Sequence, residues 1–235
     1  MTWSILVRDP ASGALGAAVA SRFFAVGGLC IHVEGGVAAL ATQALVNPMY
    51  AVAAMPRLRA GEAPQAVLDS LLSPDPGAAQ RQFHIIDAQG RIAQHSGPDC
   101  IVWAGHVRGT DISVAGNMLA GPAVVQATLD GYTQATGGLA ERLLAAMEAG
   151  EAAGGDKRGR QGAGLKICTR DPYPDLDIRA DDHPDPLAEL RRLHRVSLER
   201  FAVFRRHLAG PQTGYGTLDR GAIEVDIIRD GQPLR

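Results

Sequence analysis

The beginning of the chain predicts a β-hairpin, and this hairpin constrains the fold more than any other feature of the sequence. Residues 2–7, TWSILV, largely alternate between polar and apolar side chains. Residues 9–13, DPASG, are typical of a turn, and residues 14–20 form a second apolar run. Two short strands joined by a turn of this composition pair in an antiparallel manner, so the chain is expected to begin inside a β-sheet.

The register of this hairpin is expected to bring the beginning of the chain next to a short polar segment. If the turn is centred near Ala11, the numbers of paired residues add up to about 22. Thr2 is then expected opposite Ala20, with Ser21 and Arg22 beside it.

The remaining elements alternate between pairs of strands and pairs of helices. We predict strands at residues 29–33, 37–42, 82–87, 91–95, 101–103, 111–115, 162–169, 176–180 and 222–228. Helices are predicted at residues 49–60, 63–72, 139–149 and 184–208, with a further helix that opens at Gly121-Pro122. This order is typical of an α+β protein in which two antiparallel sheets stack between helical layers.

The length of 235 residues fits one sizeable domain. We place this domain at residues 1–209 and treat the glycine-rich residues 210–235 as a C-terminal appendage. A homo-oligomer is the default expectation for its assembly.

The charge balance limits the classes of partner. Lys and Arg number 23 against 25 Asp and Glu, which gives a net charge of -2 and favours neither nucleic acid nor an anionic membrane. The sequence has no apolar run of about 18 residues and no signal-peptide pattern, so we expect a cytoplasmic protein. Cys30, Cys100 and Cys168 lack a CxxC spacing, which argues against a zinc site or a disulfide framework and favours buried thiols.

Thr2 is the residue whose position suggests chemistry. A threonine hydroxyl is a weak nucleophile unless a base removes its proton, and the free α-amine of an N-terminal threonine provides that base. Thr2 follows Met1, and its small side chain permits removal of Met1 in bacteria. The alternative is that Thr2 is simply a strand residue after the initiator methionine.

Six ordered motifs then carry a family resemblance. They are TWSILVRDP at 2–10, VASRFFAVG at 19–27, ATQALVNP at 41–48, GNMLAG at 116–121, GGDKRGRQ at 154–161 and DDHPDP at 181–186. Over residues 2–208 the chain resembles a bacterial family catalogued as domain of unknown function 1028, which is assigned to the N-terminal-nucleophile (Ntn) hydrolase superfamily. The resemblance implies a four-layer αββα sandwich and a nucleophile at Thr2.

The resemblance also implies a set of site residues. Residues 18–22 resemble the segment that braces the threonine in the proteasome-like branch, although Ala20 stands in place of an acid and only His32 is available in place of a lysine. Asp156 resembles the acidic residue near the amine. The predicted catalytic residues are Thr2, Arg22, Asn117 and Asp156, and the predicted substrate-binding residues are Ser21, Gln43, Asn47, Arg160 and Gln161.

Each of these residues also has a structural interpretation. Arg22 can pair with a surface carboxylate, Asn117 can cap a helix, and Asp156 can be a solvated loop acid. Asn47 precedes Pro48, so turn formation alone explains it. Arg160, with Arg158, either holds an anionic group of the substrate or lies in a solvated loop.

A metal site is a weaker alternative. His95, His106 and His183 are present, together with the acidic segment 181–185, but no HExxH spacing occurs. Those acids precede a proline-started helix, where capping and the helix dipole favour negative charge.

The sequence therefore predicts an Ntn-type amidohydrolase that cleaves an amide-like bond in a small molecule, with no cofactor and no bound metal. The alternative is a catalytically silent member of the same fold that acts as a ligand-binding or assembly module.

Overall fold

The computed structural model describes residues 2–232, which form two antiparallel sheets. The strands are β1 (Thr2–Arg8), β2 (Leu15–Ser21), β3 (Ile31–Glu34), β4 (Ala38–Ala44), β5 (Arg81–Asp87), β6 (Ile92–Ser96), β7 (Gly105–Gly109), β8 (Ile112–Asn117), β9 (Gly162–Cys168) and β10 (Leu176–Ala180). One sheet has the strand order β10-β9-β2-β1-β8-β7 and the other β3-β4-β5-β6. The strand β1, which contains Thr2, therefore lies in the middle of the larger sheet.

The described residues also form α-helices, most of which pack on the outer faces of the sheets. The helices are α1 (Val26–Cys30), α2 (Met49–Arg59), α3 (Pro64–Leu72), α4 (Pro122–Gln134), α5 (Leu139–Ala152), α6 (Pro186–Glu199), α7 (Phe201–Phe204) and α8 (Arg220–Asp230). Helices α4, α5 and α6 share one apolar core with the six-stranded sheet, and α2 and α3 share another with the four-stranded sheet. A third core lies between the sheets. The α+β class and the four-layer αββα sandwich predicted from the sequence are confirmed.

The alternation in β1 assigns its two faces. Trp3, Ile5 and Val7 belong to the core under the helices, whereas Leu6 belongs to the core between the sheets. Since successive side chains of a strand point to opposite faces, Thr2 shares the inner face with Ser4 and Leu6.

The predicted hairpin is present, but its register differs by one residue. Trp3 pairs with Ala20 and Arg8 with Leu15, so the paired numbers add up to 23. The N–H of Asp9 donates to the carbonyl of Ala14, which centres the turn between Ala11 and Ser12. This shift brings Ser21, instead of Ala20, next to Thr2.

Two elements after residue 180 differ from the prediction. The expected strand at 222–228 is the helix α8, because Asp219 caps it and Ile223 and Ile227, one turn apart, pack with Val203. The expected single helix at 184–208 begins at Pro186 and breaks at Arg200, whose φ of -135° is not helical. For residues 222–228, packing against Val203 of α7 therefore outweighs the strand preference of their β-branched side chains.

The sequence also mispredicts two shorter segments. Residues 101–103 are not a strand, and the edge strand next to β8 is β7. Helix α1 contains Gly27 and Gly28, which disfavour helices, so the pattern did not indicate it. A Cβ at Gly27 would lie 2.8 Å from Cα of Gly164, so a close approach of backbones requires glycine there.

Within residues 2–232 no helix is both long enough and apolar enough to cross a lipid bilayer. Of the predicted appendage, residues 210–232 are described, and α8 is attached to the body through ion pairs of Glu224 with Arg200 and of Asp230 with Arg206. Residues 233–235 of that appendage lie outside the described residues.

Candidate active site

Thr2 is the first residue of β1, and its side chain lies in the layer between the two sheets. It is 7% exposed, and its hydroxyl donates a hydrogen bond of 3.2 Å to Oγ of Ser21 at the end of β2. On its other side Thr2 pairs with Asn117, the last residue of β8. Three strand ends therefore converge on this threonine, and of the predicted site residues Ser21 and Asn117 contact it directly.

Asn117 faces inward and does not cap a helix. Helix α4 begins after Gly121, and the amide of Asn117 donates to the carbonyl of Thr2 at 3.4 Å and to Oε1 of Gln82 at 3.0 Å. These two bonds use both N–H groups of the side-chain amide. Asn117 therefore holds the main chain of Thr2 in place.

Asp156 is buried and joins two loops near Thr2. Its carboxylate accepts the backbone N–H of Arg22 at 2.8 Å and the backbone N–H of Arg158 at 2.8 Å. The guanidinium of Arg158 adds an ion pair of 3.1 Å. The guanidinium of Arg22 in turn donates to the carbonyl of Arg158. Because Arg22 follows Ser21 directly, Asp156 fixes the segment that carries the hydrogen-bond partner of Thr2.

Gln43 is connected to the site through Gln82, whose side-chain oxygen also accepts a hydrogen bond from Asn117. It lies on β4 of the other sheet, accepts a hydrogen bond of 2.8 Å from Ser4, and donates one of 2.7 Å to Gln82. Asn47 accepts the N–H of Met49 at the beginning of α2, which is the turn-forming role considered above.

Arg160 and Gln161 have partners elsewhere. Arg160 pairs at the surface with Glu151 of α5 and with Asp185, the N-cap of α6, so its charge already has two acidic partners. Gln161 donates to Asp182 at 3.3 Å. These contacts favour a role in holding the β9 end of the sheet to the helices, and direct substrate binding by either residue stays a prediction.

Comparison with known proteins places this architecture in a family. Residues 2–190 match the model of DUF1028, described as a family of unknown function. The chain belongs to this family. No curated protein matches the sequence.

Solved structures agree with the family assignment. The crystal structure of protein SPO2555 from Silicibacter pomeroyi, described as DUF1028, is 28% identical with a TM-score of 0.86, covering 93% of this chain and 99% of that chain. HslV from Trypanosoma brucei is 11% identical with a TM-score of 0.39, covering 72% and 99%. Anbu, an ancestral beta-subunit from Yersinia bercovieri, is 12% identical with a TM-score of 0.39, covering 88% and 98%. Scores as low as the last two support no conclusion about this chain.

The DUF1028 chain also contains a buried polar network that its sequence motifs do not indicate. Ser4 contacts Nε2 of His84 at 2.8 Å, and Nδ1 of His84 contacts Ser113 at 2.7 Å. Ser113 accepts a hydrogen bond of 2.9 Å from Gln94, and Ser4 donates to Gln43. Since the Ser4 proton is directed to Gln43, His84 must donate from Nε2 and accept at Nδ1. The available signal was the presence of polar residues at alternate positions of otherwise apolar strands.

Burial of His84 predicts a pH dependence of stability. Desolvation lowers the pKa of His84 to about 3, below the usual value of about 6.5. The unfolded chain therefore binds the extra proton first, so the free energy of unfolding falls as the pH drops below about 6.5, by up to about 1.4 kcal/mol per pH unit. Burial lowers the pKa values of His32, His106 and His194 in the same direction.

A variant isolates the contribution of His84. Urea unfolding of the wild type and His84→Gln at several pH values from 4 to 8 is expected to show a smaller loss of stability at acid pH in the variant. Identical slopes for the two proteins would contradict this assignment.

The histidines considered for a metal site lie in separate contacts. His95 contacts the carbonyl of Ala78, His106 contacts Ser96, and His183 accepts the N–H of Asp185. In the part of the chain from 2 to 232, no group of three or more His, Cys, Asp or Glu side chains is arranged to hold a metal ion. His32, considered as a stand-in for lysine, lies on the edge strand β3 and contacts the carbonyl of Leu29.

Proposed function

We propose that this protein is an N-terminal-nucleophile amidohydrolase that cleaves an amide-like bond in a small molecule. The observation that carries the proposal is the position of Thr2: its hydroxyl lies at the end of the central strand β1, between the sheets, in contact with Ser21. The family match also begins at residue 2.

The reaction proceeds in two balanced steps. After removal of Met1, the α-amine of Thr2, whose ordinary pKa is about 8, accepts the proton of the hydroxyl as Oγ attacks the amide carbonyl. The tetrahedral adduct collapses to an ester of Thr2, and the amine leaves with that proton. Water then hydrolyses the ester, which releases the carboxylic acid and restores Thr2.

The neighbouring residues have distinct proposed roles. Ser21 orients the hydroxyl of Thr2, and Asp156 and Arg22 hold the loops around it. Asn117 stabilises the oxyanion by exchanging its longer bond, the 3.4 Å bond to the Thr2 carbonyl, for one to the substrate oxygen.

The first test is the state of the N-terminus. Met1 lies outside the described residues. We predict that Met1 is removed, because the residue that follows it, Thr2, has a small side chain. Intact mass and N-terminal sequencing of protein expressed in a bacterial cytosol are expected to show a chain that begins at Thr2.

Periodate provides a functional control, because it cleaves the adjacent amine and hydroxyl of an N-terminal threonine. Treatment is expected to convert Thr2 to a glyoxylyl group, with release of acetaldehyde and ammonia, and to abolish turnover in a screen of small amides. Thr2→Val, which keeps the shape but lacks the hydroxyl, is expected to keep its mass. Full activity in protein that retains Met1 would exclude the α-amine as the base and would favour a nucleophile elsewhere.

A further inference from the structure

We infer that the cavity beside Asn117 binds an apolar arm of the substrate that is the size of a phenyl or leucine side chain and carries no negative charge. This inference rests on the proposed function. The cavity has a volume of about 220 Å³. Its walls come from the end of β4, the end of β8 and the loop before β7, with contributions from Ala44, Leu45, Cys100, Ile101, Asn117 and Met118.

The cavity is next to the proposed nucleophile. Asn117, which forms part of its wall, pairs with Thr2 and donates to the Thr2 carbonyl. Paired strands lie about 5 Å apart, so a group joined to the scissile carbonyl by one or two bonds can reach the cavity while the carbonyl stays near Thr2.

The backbone opens this cavity where the two sheets end. Ala44, the last residue of β4, and Met118, the residue after β8, have φ values of 68° and 55°. Left-handed backbone is uncommon for residues other than glycine, and here it turns both strands away from their sheets. Both residues form part of the cavity wall.

Five of the eight residues that line the cavity are apolar, and the polar ones are Gln80, Asp99 and Asn117. Leu45 is 53% exposed and Ile101 is 62% exposed, although both are large apolar side chains. Cys100 is buried, and burial raises the pKa of its thiol, so the thiol stays neutral. A dry cavity of about 150 Å³ is known to hold benzene, so 220 Å³ accommodates a phenyl or branched aliphatic group.

The charge of the walls limits the ligand further. Among the described residues that line the cavity, Asp99 is the only acid and there is no base. Asp99 lies on the surface, with its N–H held by the carbonyl of Ala79. A carboxylate on the arm that enters the cavity would therefore meet a like charge in the wall, while Arg81 and Lys157 beside the cavity already donate to the carbonyls of Leu45 and Val102.

Binding to Thr2→Val protein tests the inference without turnover. Calorimetric titration with phenylacetamide is expected to give a Kd at least about tenfold lower than with acetamide, because the phenyl group buries apolar surface. Leu45→Trp in the same background fills the entrance and is expected to remove this preference. Leu218→Trp is the matched control, since Leu218 is 86% exposed in the C-terminal segment and its substitution is expected to leave binding unchanged.

A separate test addresses the predicted exclusion of a negatively charged ligand from the cavity. Phenylacetamide with a para-carboxylate is expected to bind Thr2→Val protein more weakly than phenylacetamide, and Asp99→Asn is expected to restore part of the difference. Equal binding of acetamide and phenylacetamide, or a phenyl preference that survives Leu45→Trp, would overturn the inference.

The two proposals fail in different ways. If phenylacetamide binds as expected but the processed wild type turns over no amide, the results support the inference about the cavity and contradict the hydrolase proposal. If small amides are turned over with no preference for an apolar arm, the hydrolase proposal stands and the pocket falls.

Discussion

Thr2→Ala is expected to abolish amide turnover, with a loss of about 10⁴-fold or more, because no hydroxyl remains to form the ester intermediate. Thr2→Ser keeps a hydroxyl beside the α-amine and is expected to retain reduced activity. The hydroxyl of Thr2 makes one described hydrogen bond, to Ser21, so its removal is expected to cost only about 1 kcal/mol of stability.

A serine- and threonine-directed electrophile supplies the measurement while the natural substrate is being sought. Labelling followed by peptide mapping is expected to modify Thr2 in the wild type and in Thr2→Ser, and to be lost in Thr2→Ala. Circular dichroism and thermal unfolding verify that the variants fold. Labelling that persists unchanged in Thr2→Ala would show that the nucleophile lies elsewhere in the chain.

Asp156→Ala is expected to reduce both activity and stability. The substitution leaves the backbone N–H groups of Arg22 and Arg158 without their acceptor, and it removes the partner of the Arg158 guanidinium. We expect the free energy of unfolding to fall by about 2 to 4 kcal/mol. This loss is smaller than for a fully buried ion pair, because Arg158 is partly exposed. Loss of orientation at Thr2 is expected to reduce turnover by about 10² to 10⁴-fold.

Asp156→Asn separates charge from geometry. The amide keeps one oxygen as an acceptor, so more of the structure survives than in Asp156→Ala. Without the carboxylate near the N-terminus, the pKa of the α-amine is expected to fall, because a nearby negative charge favours the ammonium form. The alkaline rise of the rate is then expected to move to lower pH.

A neighbouring surface acid controls this experiment. Asp182 is exposed and contacts Gln161, so Asp182→Ala is expected to change neither stability nor the pH profile appreciably. If Asp156→Ala and Asp156→Asn both behave like Asp182→Ala, Asp156 has no part in the site, and the alignment of residues 154–161 with the superfamily motif is wrong.

The sequence predicted the layers well because they depend on local patterns. The alternation in β1 and the short apolar run in β2 are typical of strands, and the turn residues 9–13 specify a hairpin. The shift of its register by one residue was not predictable, because it depends on where the turn closes between Asp9 and Ala14.

The site was predicted less completely. Thr2, Ser21 and Asn117 are brought together by strands adjacent in the sheet, and hairpin arithmetic had already placed Ser21 beside the beginning of the chain. Asp156 is 134 residues from Arg22 in the chain, and only the resemblance suggested it. Nothing local in the sequence placed Arg160 in its ion pairs with α5 and α6.

By itself, the sequence determined the strand and helix layers, the family, and the candidate nucleophile at Thr2, because periodicity, turn composition and motifs are properties of contiguous residues. Only the tertiary structure decided which polar side chains share the space between the sheets. The strands that carry His84, Gln82 and Ser113 have the sequence pattern of ordinary buried strands. The hydrogen bonds of these residues form only because the two sheets stack face to face. The cavity beside Asn117 has the same origin, since residues distant in the chain form its walls where the two sheets end.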